Sequence, residues 1–309
     1  MKKYIFLALT AITALAFNAC SNDDIEISRN TVITLKPSTI TTAFKTQATA
    51  SDLMSFTAGY KLRTRLLIYD TQGKLVEEQS QLLNNYNHDM RVEGLVLPDG
   101  NYKLIAIADA VNNSDEYWTL SGKESLDKLR IDYTKKNNND GFVYAKGILG
   151  IGKQDISIPR DNDITVNMQP AGCLVTINYK NIHNSFNIIQ YGTVTDWIPG
   201  YVSFDLTGNY TLAADRPVNI IMQPNYGYID FFRTSNNEGV KDKATYYFAF
   251  PSSGGNNSFA IVYTQNEGTP KAKLVKTTTM TVGGEYQIDI DFSSASDIKD
   301  IQPTWTKTN

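Results

Sequence analysis

Cysteine and histidine are nearly missing from this chain, with two of each in 309 residues. Nucleophilic machinery of the Ser-His-Asp or Cys-His kind would have to use His88 or His183. Both lie in polar stretches, Asn84-Asn85-Tyr86-Asn87-His88-Asp89 and Asn181-Ile182-His183, that read as solvated loops. Zinc has no paired cysteines to hold it, and no HExxH, Walker or GxSxG pattern occurs. Gly147-Ile148-Leu149-Gly150-Ile151-Gly152 is rich in glycine, yet its spacing is wrong for a dinucleotide and no helical pattern follows it. Asp161-Asn162-Asp163 could contribute oxygens to calcium, yet it lacks the EF-hand type of loop with a closing glutamate. Asp289 and Asp291 alternate along a strand and so share one face, the solvent face. The expectation is no catalytic residue, no metal and no cofactor.

Charge of one sign is also lacking. Lysine and arginine number 29 against 32 aspartates and glutamates, a net charge of −3, which gives no electrostatic reason to expect nucleic acid as a partner. Long apolar runs are confined to the start. Lys2 and Lys3 precede a nearly unbroken apolar run from Tyr4 to Phe17, followed by Asn18-Ala19-Cys20. That run is too short to span a bilayer as an ordinary helix and reads as a secretory leader.

Phe17-Asn18-Ala19-Cys20 resembles the lipobox of bacterial lipoproteins, with Phe17 in place of the usual leucine. The resemblance implies removal of residues 1–19 and acylation of Cys20, first on its thiol and then on the freed amine. Ser21-Asn22-Asp23-Asp24 is similar to the surface-export signal of Bacteroides-type lipoproteins. Several acyl chains hold a protein on a membrane at about 0.8 kcal/mol per buried methylene. With Cys20 committed to lipid, Cys173 has no intramolecular partner, so the fold must rest on its core alone.

Beyond a polar, acidic tether at 20–29, the chain reads as strands. Thr31-Val32-Ile33-Thr34-Leu35 is β-branched and ends near Pro37, which predicts a first strand at a sheet edge. Tyr60 to Tyr69 carries Leu62, Leu66 and Ile68 on one parity, turns at Asp70-Thr71-Gln72-Gly73, and resumes at Lys74-Leu75-Val76 as a hairpin. Met90 to Leu97, Pro98-Asp99-Gly100-Asn101 and Tyr102 to Ala108 read as a second hairpin. Ser121 to Leu129, with Leu126 and Leu129 three apart, is the best helix candidate. Gln169-Pro170-Ala171-Gly172 is a strong breaker between strand patterns, which predicts one β-sandwich over 30–169 and another over 170–309. Strands are expected near Tyr201–Leu206, Tyr246–Phe250, Ser258–Tyr263, Lys273–Val282 and Tyr286–Phe292. A Gly-x-Tyr-x-aliphatic pattern recurs at Gly100, Gly208 and Gly284, as ordinary strand grammar or as the mark of a duplicated domain.

The Asp70/Gly73 turn, Leu97-Pro98-Asp99-Gly100-Asn101-Tyr102 and the final Gly284-Glu285-Tyr286 strand, behind the lipoprotein leader, resemble fimbrillin-like proteins. This family includes pilins and minor or anchoring subunits of the Bacteroidales type V pilus. The resemblance implies two tandem transthyretin-like β-sandwich domains, an outer-membrane, surface-exposed location through the lipid, and non-enzymatic assembly with other pilus subunits by strand donation. Val32, Ile33 and Leu35 are then the candidate donor or groove segment. Polymerising members resemble one another in an Arg-directed cut that removes the first strand. No arginine occurs from Asn30 to Leu62, and Arg29 precedes the strand, which favours an anchor or tip over a stalk pilin. Host or bacterial surface ligands are the other partner class. Trp118, Trp197 and Trp305 are the candidate ligand-contact aromatics, and they also support an alternative, a glycan-binding accessory lipoprotein of a polysaccharide uptake system.

Overall fold

A computed structural model describes residues 31–42, 60–112, 116–134, 148–182, 188–195, 198–215, 228–233, 241–251, 256–265, 271–291, 293 and 304–307. The leader, Cys20, the tether, His183 and Trp197 lie outside the described residues. Apart from one short helix, α1 (Ser38–Thr42), the regular elements among the described residues are strands, so the fold is all-β.

The first half contributes β1 (Thr31–Lys36), β2 (Lys61–Tyr69), β3 (Leu75–Leu83), β4 (Met90–Leu95), β5 (Gly100–Val111), β6 (Trp118–Ser121), β7 (Arg130–Tyr133), β8 (Gly150–Ile158), β9 (Asp163–Asn167) and β10 (Gln169–Pro170). Two sheets form from them, in the orders β4-β1-β9 and β10-β8-β5-β2-β3. The second half contributes β11 (Cys173–Ile182), β12 (Ile188–Thr195), β13 (Ile198–Phe204), β14 (Tyr210–Asp215), β15 (Tyr228–Arg233), β16 (Lys241–Ala249), β17 (Asn256–Gln265), β18 (Lys271–Thr279), β19 (Glu285–Asp291) and β20 (Thr304–Lys307). Its sheets run β16-β11-β19-β20 and β15-β12-β17-β18.

The two halves repeat one topology. Each opens with a strand held between an antiparallel and a parallel neighbour: β1 between β4 and β9, and β11 between β16 and β19. The partner sheets correspond strand for strand, β8-β5-β2-β3 with β18-β17-β12-β15. Two insertions break the repeat, β6-β7 in the first half and β13-β14 in the second, and these combine in a further sheet of order β14-β13-β7-β6. That sheet straddles the division expected at residue 170.

The central strands β2 and β5 of sheet β8-β5-β2-β3 are buried on both faces, whereas the edge strand β3 is largely exposed. Leu66, Leu67, Ile68, Leu104, Ile105, Ala106 and Ile107 are all fully buried. The Asp70 turn forms as expected, its Oδ1 accepting the Gln72 and Lys74 N–H groups at 2.9 Å.

Three expectations are corrected. β1 is central, not an edge, since β4 and β9 flank it and Pro37 falls just past its end. Met90–Leu95 and Gly100–Val111 are no hairpin: Pro98-Asp99 carries the chain from one sheet to the other. The stretch 121–129 is not helical, because its backbone bonds outward. Leu126 N–H donates to Gly73 O at 2.8 Å and Glu124 O accepts from Leu75 N–H at 3.2 Å, while Leu126 and Leu129 are buried from a turn.

The Gly-x-Tyr recurrence has a local cause in two of its three places. Tyr102 and Tyr286 fold back over the glycine two residues earlier. A Cβ on Gly284 would lie 2.8 Å from the Tyr286 ring. Tyr102 Oη donates to Pro98 O at 2.8 Å, and Tyr286 Oη accepts from Thr281 N–H at 2.8 Å. Gly208 instead sits in the turn of the β13-β14 hairpin at φ +77°.

Candidate functional site

The first strand is built into the core. Alternation along Thr31–Lys36 turns Thr31, Ile33 and Leu35 inward, and Ile33 and Leu35 have no exposed surface. Val32, on the opposite parity, is half-buried. Ile33, Thr34 and Leu35 pair with Val92, Arg91 and Met90 on one side, and Val32 to Lys36 with Asp163 to Asn167 on the other. A strand in this slot supplies two large apolar side chains and satisfies the facing backbone edges of both neighbours, which is the chemistry of strand complementation.

The end of the slot is stapled by α1. Thr39 Oγ1 accepts the Met168 N–H at 2.8 Å and lies within donating reach of Lys36 O at 2.7 Å. Ile40 is fully buried against Gly150, where an added Cβ would fall 1.9 Å from Ile40 Cδ1. The glycines of 147–152 that can be described thus serve close packing. Neither Thr39 nor Ile40 stood out in the sequence, since a five-residue helix leaves no periodic trace.

A buried charge cluster sits on β2 and β5. Arg63 binds Asp109 through Nη2 at 2.7 Å and Nε at 3.1 Å, Glu116 at 2.7 Å and the Trp118 carbonyl at 2.9 Å. Arg65 reaches Asp109 at 3.0 Å. Burial pushes the fully buried Asp109 carboxyl above its ordinary value, with Arg65 and Arg63 opposing it. Burial lowers Arg65. An Arg-x-Arg inside an apolar strand, with a single Asp in the run 104–111, was the signal available in the sequence.

The candidate aromatics separate. Trp118 is a correction: it is fully buried, with its ring 5.3 Å from Phe250 and 5.1 Å from Tyr133, so it presents no surface to a ligand. Trp305, on β20, is half-buried and stacks on Tyr286 at 5.4 Å. The His88 ring lies in an exposed loop, 2.8 Å from Asn85 Oδ1. Asp161 accepts from the Ser157 N–H at 2.7 Å, and no cluster of three metal-ligating side chains occurs among the described residues.

A family model for fimbrillin-A associated anchor proteins Mfa1 and Mfa2 matches residues 59–304. The chain belongs to that family. No curated protein matches it by sequence. In structure it is similar to an adhesin candidate from Bacteroides thetaiotaomicron, at 12% identity over 91% of this chain and 99% of that one, with a TM-score of 0.52. It is also similar to a candidate cell adhesion protein from Bacteroides eggerthii, at 11% identity over 91% and 96%, with a TM-score of 0.50. The fimbrial anchor protein Mfa2 from Porphyromonas gingivalis matches at 11% identity over 80% and 89%, with a TM-score of 0.43. In this fimbrial anchor family member the first strand is seated in the slot, and the ion cluster lies on β2 and β5 of the facing sheet.

Proposed function

We propose that the mature chain is a non-enzymatic, lipid-anchored subunit at the outer-membrane surface, in the anchor or tip position of a fimbrium, joined to its neighbours by strand donation. One observation carries this reading: β1 lies close after Cys20 in the chain and is locked between β4 and β9. The lipid and a core strand therefore share one continuous segment. A cut at Arg29 frees the lipid and leaves the slot filled, and the next arginine is Arg63. A subunit that keeps its first strand keeps its slot closed to donors and binds its neighbours by another segment. Family membership supports the fimbrial role, and we assign each seven-strand unit to the transthyretin-like class, with boundaries at 30–169 and 170–309 apart from the shared insertion sheet. The glycan-binding alternative is weakened by the burial of Trp118 and the stacking of Trp305.

The test is metabolic labelling with an alkyne-bearing palmitate analogue, followed by protease treatment of intact cells. Wild-type chain is expected to carry label, to be cleaved from outside, and to co-purify with fimbrial subunits. Cys20→Ala loses the label. Alanine at Ser21, Asn22, Asp23 and Asp24 keeps the label and loses surface exposure. An unlabelled wild-type chain that stays inside the cell would overturn the reading.

A further inference from the structure

Each seven-strand unit carries one inserted hairpin, and the two hairpins meet. β7 and β13 pair through Asp132↔Tyr201, Ile131↔Val202 and Arg130↔Ser203. From the second half, Val202 and Phe204 enter the same apolar cluster as Leu66, Ile105 and Ile131, with 0% and 5% of their surfaces exposed. The Arg130 guanidinium stands 3.7 Å over the Tyr201 ring. At the hairpin tip, Leu206 Cδ2 would lie 2.7 Å from a Cβ on Gly73, and Asn209 Oδ1 accepts from Lys153 Nζ at 3.0 Å. Trp118 and Phe250 stack across the same junction.

We propose that the β13-β14 hairpin is a clasp: a part of the second unit that completes the core of the first, so that the two units unfold as one body. An ordinary interdomain contact buries surface that each domain could leave wet. Here the first unit's sheet has a second buried face, on which Leu67, Ile105 and Ile107 lie beside the Arg63, Arg65 and Asp109 cluster, and a strand pair from the other unit packs on its apolar part. Ile105 lies on that sheet, 3.4 Å from where a Cβ on Gly208 would be. Removing the hairpin uncovers Ile105 and Ile131 together and unpairs the β7 edge. The inference stands on these contacts and not on the fimbrial reading.

Calorimetry of the full chain tests it, with hydrogen exchange assigning each transition to a unit. Wild type is expected to show one transition. Phe204→Ala is expected to show two, about 10 °C apart, with the β2 and β5 amides exchanging in the lower one. Leu206→Asp, at a position 52% exposed, leaves the chain folded and gives a smaller separation. Asp132→Cys with Tyr201→Cys places a disulfide across a directly opposed pair, and its oxidation in the Phe204→Ala background merges the transitions. Two transitions in wild type, no separation in either variant, or a disulfide that fails to form or to merge them overturns the clasp.

Discussion

Thr39 Oγ1 accepts the Met168 N–H at 2.8 Å and so ties the end of β1 to the residue just past β9. The two strands run parallel, so no tight turn can join them, and one hydroxyl does that work across 129 positions of sequence. Thr39→Val keeps the branched shape and strands the amide, which costs about 1–3 kcal/mol. Thr39→Ser retains most of it. Urea unfolding is expected to show a lower midpoint for the valine variant with an unchanged slope.

Ile33 tests the slot itself. Ile33→Ala removes a fully buried side chain from a strand packed on both sides, with an expected loss of about 2–5 kcal/mol. Val32→Ala, one residue earlier on the half-buried face, is expected to lose less. Equal losses at the two positions, measured by urea unfolding, would mean that β1 is not inserted in this register.

The β2-β3 hairpin was legible because everything that determines it lies within one short stretch: Leu62, Leu66 and Ile68 on one parity and an Asp-to-Gly turn. What escaped is what distant residues decide. Thr31–Leu35 looked like an edge because its neighbours, β4 and β9, are far away in the chain. Leu126 and Leu129 imitate a helix, yet the backbone around them bonds to Gly73 and Leu75. β6 and β7 have four residues each and cover their edge only with a hairpin from the other half, so no local pattern marks them. Trp118 is interior because Tyr133 and Phe250, both distant in sequence, pack against its ring.

Asp109 is the shared acceptor for two arginines in the first core. Asp109→Ala leaves Arg65, 9% exposed at its side chain, without its ionic partner, with an expected loss of about 3–5 kcal/mol. Replacing Arg65 and Asp109 together by leucine is expected to cost less than the sum of the single changes, because the pair then leaves no charge stranded between them. A double-mutant cycle by chemical denaturation measures the difference.

Trp305 holds β20 to the rest of its sheet. Its neighbours Thr304, Thr306 and Lys307 are exposed, and the Trp305 stack on Tyr286 adds side-chain packing to the backbone pairing with β19. Trp305→Ala is expected to give fast hydrogen exchange at the β20 amides while the β11-β19 amides stay protected. Slow exchange in the variant would show that backbone pairing alone retains the strand.

Asp289 makes stability depend on pH in a definite direction. Burial works to raise its carboxyl, but Asn178, Gln287 and Lys180 outweigh that and hold it below the usual carboxylate range. A carboxyl depressed in the folded state contributes stability that is fully present above its unfolded value of about 3.9 and is lost as pH falls through the folded one. Asp291, bonded to Asn181 and Ser293, is shifted in the same direction. Between pH 5 and pH 3 the wild-type urea midpoint is therefore expected to fall, and Asp289→Asn should flatten that fall while lowering the midpoint at pH 5. An unchanged slope in the variant would place the acid sensitivity elsewhere, while the lower midpoint at pH 5 is expected because the asparagine amide removes the ionisation and also turns an NH2 donor toward the Asn178, Gln287 and Lys180 donors.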